Sequence, residues 1–277
     1  MTKPIPLEDL FEDIIAKAMR GHHISESELH ERSGVPRDVL ARLLRGEFCD
    51  EGAVPKIAKE LQLDPSALTL SASRSWSPRR HELEGLFGVD TRYRDLRVNA
   101  FLVYDPSAKV GALFDTGTDS SPLVAAVRER GVAIESIFLT HTHNDHVADL
   151  DRLKGAFPDA MVRVNEVESW PGAATFREGD VFEIGSLRIE TRTCRGHSIG
   201  GTTYVIDGLA QPLAVVGDAL FAGSMGGGIV SFAEAWKNNR EKIFTLPDAT
   251  ILAPGHGPLT SVGEEKRYNP FFAGEFR

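Results

Sequence analysis

The 277-residue sequence predicts an α+β protein in two parts: a small all-α domain over residues 1–70 and a layered domain of strands and helices over residues 85–277. Three observations predict it. Residues 1 to about 70 carry apolar residues at short helical spacings and no convincing strand. A Ser/Arg-rich stretch, "SASRSWSPRR", then interrupts the pattern and reads as a linker, taken here as residues 71–84. Beyond it, short apolar runs bounded by turn residues alternate with capped helical segments.

In the first part, Leu7, Leu10, Phe11, Ile14 and Ile15 recur at helical spacing beside acidic residues of a first turn. Ser25 can cap a second helix, with Glu28 at the capping-box offset. Gly34 ends that helix, Pro36 begins the next and Gly46 ends it, and a further helix, about Val54 to Leu61, stops near Asp64-Pro65. In the second part, "RVNAFLVYD", "KVGALFDTG", "AIESIFLT", "DVFEIGSLRIETRT", "GTTYVID", "PLAVVGD" and "TILAPG" read as strands. "SSPLVAAVRERG" and "SFAEAWKNNREKIFTL" read as helices. This mixture indicates a layered α/β or α+β domain.

Composition narrows the function. An apolar fraction of 42% and a charged fraction of 26% suit a globular chain with a sizeable core. No stretch approaches the ~20 apolar residues of a membrane span, so no membrane partner is expected. The N-terminus is acidic and amphipathic, unlike a signal peptide. Cys49 and Cys194 imply no disulfide framework, which fits a cytoplasmic location, and a buried inert thiol is the expected role of Cys194. The net charge of −9 argues against binding nucleic acid by bulk electrostatics.

The chemistry is concentrated in "LTHTHNDHVADL", residues 139 to 150. In an extended segment leaving a strand, His141 and His143 point to one side and can reach one metal ion. Asp145 and His146 follow after a turn and can reach a second. "RGHSIGG", "VVGDALF" and "APGHGP" place His197, Asp218 and His256 at further strand-to-loop junctions, where a rigid scaffold carries functional side chains. Beyond residue 81 the chain has five histidines, and all five lie in these segments. A carboxylate-imidazole set of this kind suits zinc, iron or manganese.

"THTHNDH", "GH", "GD" and "GH", in this order, resemble the metallo-β-lactamase superfamily over about residues 85 to 277. The resemblance implies an αββα sandwich with two divalent metal ions at one edge, zinc ahead of iron or manganese. It assigns His141, His143 and His197 to the first ion, Asp145, His146 and His256 to the second, and Asp218 to a bridge. "GDALFAGSMG" and the tail "APGHGPLTSVGEEKRYNPFF" resemble the glyoxalase II-like branch. The chain departs from that branch in "GGIVSF" after "GSMG", in Val147 and in Arg195. The implied activity is hydrolysis of a small ester, thioester or related molecule by a metal-bridging hydroxide. Asp145 would ligate and also orient the nucleophile or shuttle a proton, so Asp145 and Asp218 are the catalytic candidates. Asp115 in "FDTG" either orients a ligand histidine or forms a turn. Arg195, Lys237 and Arg240 either meet an anionic substrate group or line a solvated face.

Residues Ile24 to Leu70 resemble the Cro/repressor-like helix-turn-helix family, with Pro36 to Arg45 as the segment that would enter a major groove. It offers Arg37, Arg42 and Arg45, but residues 1 to 75 hold 10 Lys/Arg against 13 Asp/Glu, so DNA is not the favoured partner. The alternative is an appendage that packs on the catalytic domain, mediates a homodimer or covers the pocket. Two other functions compete with the hydrolase. One is a mononuclear iron persulfide dioxygenase; the other is a ligand-sensing regulator with a DNA-binding helix-turn-helix.

Overall fold

The computed structural model describes residues 5–48 and 50–276; Cys49 lies outside the described residues. The N-terminal part holds α1 (Phe11–His22), α2 (Glu26–Ser33), α3 (Arg37–Leu43), α4 (Ala53–Glu60) and α5 (Pro65–Ala72). The Ser25 hydroxyl accepts from the Glu28 amide while the Glu28 carboxylate accepts from the Ser25 amide, so the capping box forms as its spacing implies. Gly34 closes α2 at φ 65°, a left-handed turn that costs glycine little. The first helix begins at Phe11 rather than Leu7, and α5 runs two residues into the Ser-rich stretch. That stretch is held down: Trp76 stacks on Tyr268 at 5.3 Å, and His81 meets Glu264 at 2.8 Å.

The second part contains two six-stranded sheets. The first runs in the order β1 (Leu86–Tyr93), β2 (Leu96–Asp105), β3 (Val110–Phe114), β4 (Ala133–Phe138), β5 (Met161–Asn165), β6 (Ala174–Phe176). Its outer face carries α6 (Ser121–Arg130), the single turn α7 (Asn144–Val147) and α8 (Leu150–Ala156). The second sheet is built from β7 (Val181–Ile184), β8 (Leu187–Thr193), β9 (Thr202–Asp207) and β10 (Leu213–Gly217). After a small hairpin of β11 (Leu220–Phe221) and β12 (Ser224–Met225) and then α9 (Phe232–Asn238), β13 (Ile251–Pro254) and β14 (Thr260–Ser261) complete it. The chain then forms α10 (Val262–Tyr268).

The period-2 alternation of each strand decides which core it fills. Phe101, Val103, Phe114 and Phe138 of the first sheet meet Tyr204, Ile206, Leu213 and Val215 of the second in a central core. The alternate residues Ala100, Leu102 and Leu113 face α6 and α8 on one outside. Val205, Ala214 and Val216 face the other outside, where they join one core with Ile14, Ile15, Leu43 and Ile57 of the N-terminal helices and with Phe271 and Phe272. The result is a mixed α+β fold layered helix, sheet, sheet, helix, in which the N-terminal helices share the outer layer with α9 and α10.

Six strands among the described residues, β1, β5, β6, β11, β12 and β14, lie outside the predicted runs. "DVFEIGSLRIETRT" splits at Gly185, φ 58°, into the hairpin β7–β8, and the predicted long helix after Ser231 ends its α geometry at Asn238 and continues as a π turn over Asn239–Ile243.

Candidate metal centre

Strands β8, β10 and β13 point the same way, because β10 pairs parallel with β13 and reaches β8 through two antiparallel steps. Their C-terminal ends therefore lie on one edge and deliver His197, Asp218 and His256. The segment leaving β4 delivers His141 and His143, and α7 adds Asp145 and His146. Two bonds seam the sheets at this edge: the Thr202 amide donates to the Thr140 carbonyl at 2.8 Å, and the Tyr204 hydroxyl donates to the Leu139 carbonyl at 2.6 Å. Gly217 stands before Asp218 at φ 50°, and a Cβ there would lie 2.7 Å from Thr140. Only glycine combines that turn with that approach.

All seven residues converge. The ligand-type atoms of His141, His143 and His197 lie within 4.8 Å of one another, as do those of His141, His146 and Asp218, and those of Asp145, His146 and His256. Asp218 stands between the outer groups: Oδ2 is 3.3 Å from both His197 Nε2 and His256 Nε2, and Oδ1 is 3.3 Å from His146 Nε2. Asp145 Oδ2 is 3.4 Å from His256 Nε2.

The rings are aimed by what holds their other nitrogens. His146 Nδ1 bonds Asp115 Oδ2 at 2.8 Å, His197 Nδ1 donates to the Gly227 carbonyl at 3.1 Å, and His256 Nδ1 donates to the Arg97 carbonyl at 2.6 Å. The Thr140 hydroxyl donates to Asp115 Oδ2 at 2.7 Å, which leaves its oxygen to accept from His141 Nδ1 at 3.0 Å. Four imidazoles thus present Nε2 inward. His143 instead presents Nδ1, 3.0 Å from His141 Nε2 and 2.9 Å from His197 Nε2. Asp115 also accepts from the Thr140 amide and sits at φ 56°, a conformation an aspartate adopts at a cost.

Electrostatics match a cluster built for cations. Burial and the neighbouring imidazoles hold His141 well below the ordinary histidine range, and burial lowers His197. Burial opposes a charge on His146, but the Asp218 and Asp115 carboxylates outweigh it and hold the ring up at about 10. Asp218 and Asp145 do the same for His256, at about 11. Asp218 itself, though buried, is kept well below the usual carboxylate range by His256, His146 and His197. His146 Nε2 and Asp218 Oδ1 are buried without a hydrogen-bond partner. Such atoms are costly unless something else satisfies them, and a divalent cation fits an imidazole-carboxylate donor set of this kind.

Each of the three basic candidates is paired with a carboxylate. Arg195 pairs with Glu234 at 2.9 Å, Lys237 with Glu241 at 3.9 Å and Arg240 with Glu275 at 2.6 Å. Cys194 is buried, and burial pushes its thiol up. Three supporting residues escaped the sequence reading. Glu168 accepts from the Thr142 hydroxyl at 2.6 Å and the Gly200 amide at 2.9 Å, tying the loop of His141 and His143 to that of His197. Asn99 donates to the Pro254 and Gly257 carbonyls on either side of His256. A lone amide inside the apolar run "VNAFLV" was the available signal for it. Glu8 places its carboxylate 3.9 Å from His256 Nδ1, a contact across the whole chain that no local pattern announces.

Comparison with known proteins follows the same segments. The family model described as Metallo-beta-lactamase superfamily matches residues 93–256. The probable metallo-hydrolase YqgX of Bacillus subtilis is 30% identical over 205 residues, covering 65% of this chain and 94% of its own. The hydroxyacylglutathione hydrolase GloC of Haemophilus influenzae is 26% identical, over 62% of this chain and 92% of its own. The human mitochondrial persulfide dioxygenase ETHE1 is 27% identical, over 61% and 69%. Among solved structures, TTHA1623 in a di-iron-bound form superposes with a TM-score of 0.54 at 26% identity, over 67% of this chain and all of that one.

Proposed function

The chain belongs to the metallo-beta-lactamase superfamily, and on that premise we propose that it is a binuclear metal-dependent hydrolase of small ester, thioester or related substrates. His141, His143 and His197 would hold one ion; Asp145, His146 and His256 would hold the other. The observation that carries the reading is Asp218, which stands between the groups: Oδ2 lies 3.3 Å from His197 of one and from His256 of the other, and Oδ1 lies 3.3 Å from His146. Divalent ions bound there would bring the pKa of a coordinated water toward neutrality and would stabilise the oxyanion of an attacked carbonyl.

The chain's own groups do the remaining work. Asp145, the more exposed of the two carboxylates, can hold a proton at Oδ2 and pass it to a leaving group. Asp115 holds Nδ1 of His146 and, through Thr140, Nδ1 of His141, so that both Nε2 atoms face inward. Zinc as the native ion and a cytoplasmic location belong to the same reading; no helix among the described residues is long and apolar enough to cross a membrane. The N-terminal helices, packed into one core with the second sheet, act here as part of the hydrolase, with DNA binding and a homodimer as lesser alternatives.

Likeness to a persulfide dioxygenase supports the second reading, a single iron. Elemental analysis of the purified chain, beside turnover of thioester, lactone, phosphodiester and β-lactam substrates, separates the two. Near two ions per chain with chelator-sensitive hydrolysis is the expected result. One iron per chain with oxygen uptake on a persulfide would replace it.

A further inference from the structure

A cleft of about 640 Å³ runs between α1 and the glycine-rich segment after β12. Lys17, Arg20 and His23 line one side, and residues 227–233 line the other. In a chain with 40 acidic residues and a net charge of −9, no acidic residue among the described residues lines this cleft. Lys17 is already bound by Asp9. Arg20 is exposed and has no ion pair among the described residues. Across from it, Ile229 and Val230 are 72% and 37% exposed, an apolar lip beside the basic wall.

The cleft abuts the metal centre at two points. Gly227, in its wall, receives the His197 Nδ1 bond at 3.1 Å, so one imidazole spans from the cleft wall to the cluster. Lys17 donates to the Met225 carbonyl at 2.9 Å and lies over Phe221, whose ring meets His256 edge-on.

We propose that this cleft binds the anionic tail, carboxylate or phosphate, of an amphipathic substrate, with Arg20 as the charge partner and Ile229 and Val230 as the apolar lip. The N-terminal helices then set specificity for the reaction carried out next door. This rests on the hydrolase reading for the word substrate, but not for the binding itself.

The test is calorimetric titration of the metal-loaded full chain with phenylbutyrate, phenethyl phosphate and the neutral phenylbutanamide. Wild type is expected to bind one or both anions about tenfold tighter than the amide, less so at high salt, and the tighter anion identifies the tail. Arg20→Glu should abolish the preference. Arg37→Glu, an exposed charge reversal on α3 away from the cleft, should keep it. Equal affinity for anion and amide in wild type, or a preference that survives Arg20→Glu, overturns the proposal. Hydrolysis is scored separately: an anion preference without turnover of any ester removes the hydrolase reading alone, and turnover without a preference removes the cleft alone.

Discussion

Asp218 offers each oxygen to a different set of imidazoles, so an amide in its place loses both the charge and one acceptor. Asp218→Asn is expected to drop bound metal below the wild-type stoichiometry and to cut turnover at least about 100-fold. Elemental analysis and thioester hydrolysis check it; full metal content with full activity would remove the bridge. Asp115→Asn leaves every metal-facing atom in place but gives His146 Nδ1 an ambiguous partner, and it should weaken metal affinity about 10- to 100-fold in a chelator competition. The clustered set was legible in the sequence because beyond residue 81 histidine is scarce and falls only in segments that follow predicted strands. Glu168 and Glu8 were not, because an acidic residue in a loop looks the same whether it ties two site loops together or faces water. The basic residues Arg195, Lys237 and Arg240 show the converse: their charge is visible, but the carboxylates that engage them come from distant or unremarkable positions.

At the scale of elements, strands flanked by clear turns were legible and the edges of the sheets were not. Strands β5 and β6 are short, with Arg163 and an exposed Met161 in β5, so they lack the near-continuous buried run that marks β2 or β9. The helix from Ser231 was legible as a helix, but its π turn reflects Asn239, whose amide donates to the Ala219 and Ala235 carbonyls. A close backbone approach lies between the residue that follows β12 and the Asp218 turn. A Cβ on Gly226 would fall 1.7 Å from the Asp218 carbonyl oxygen, a backbone atom with nowhere to move. Gly226→Ala should therefore cost more than about 3 kcal/mol in denaturant unfolding, or fold with the metal centre displaced and inactive. An alanine variant with unchanged midpoint and activity would contradict the geometry.

At the scale of the molecule, the N-terminal helices and the second sheet close over one core, which the linker-like composition of residues 71–84 concealed. Composition registers flexibility of the free segment, whereas Trp76 and His81 dock on α10 only once the fold is formed. One core implies one cooperative transition: far-ultraviolet dichroism and tryptophan fluorescence should give coincident unfolding curves, and an early loss of helix alone would refute it. Glu265 adds a pH dependence to that transition. It is buried, accepts from Thr260, Asn269 and Gly223, and burial still pushes it from 4.5 up to about 7. Between those values the folded chain keeps a proton that the unfolded chain has released. Its stabilisation is therefore complete below the lower value and is lost as pH rises through the upper, a swing of about 3 kcal/mol. Glu265→Gln should flatten that part of the stability curve; an unchanged slope would show that Glu265 ionises normally.

The shared core also has a consequence during synthesis. The helices over 11–72 leave the ribosome before both sheets, yet the Asp64 amide bonds the Pro270 carbonyl, and the core that α1 joins includes Phe271 and Phe272. A nascent chain therefore carries an unburied helical face through the making of both sheets. That interval, rather than any weakness of the finished protein, is where it most needs protection from aggregation.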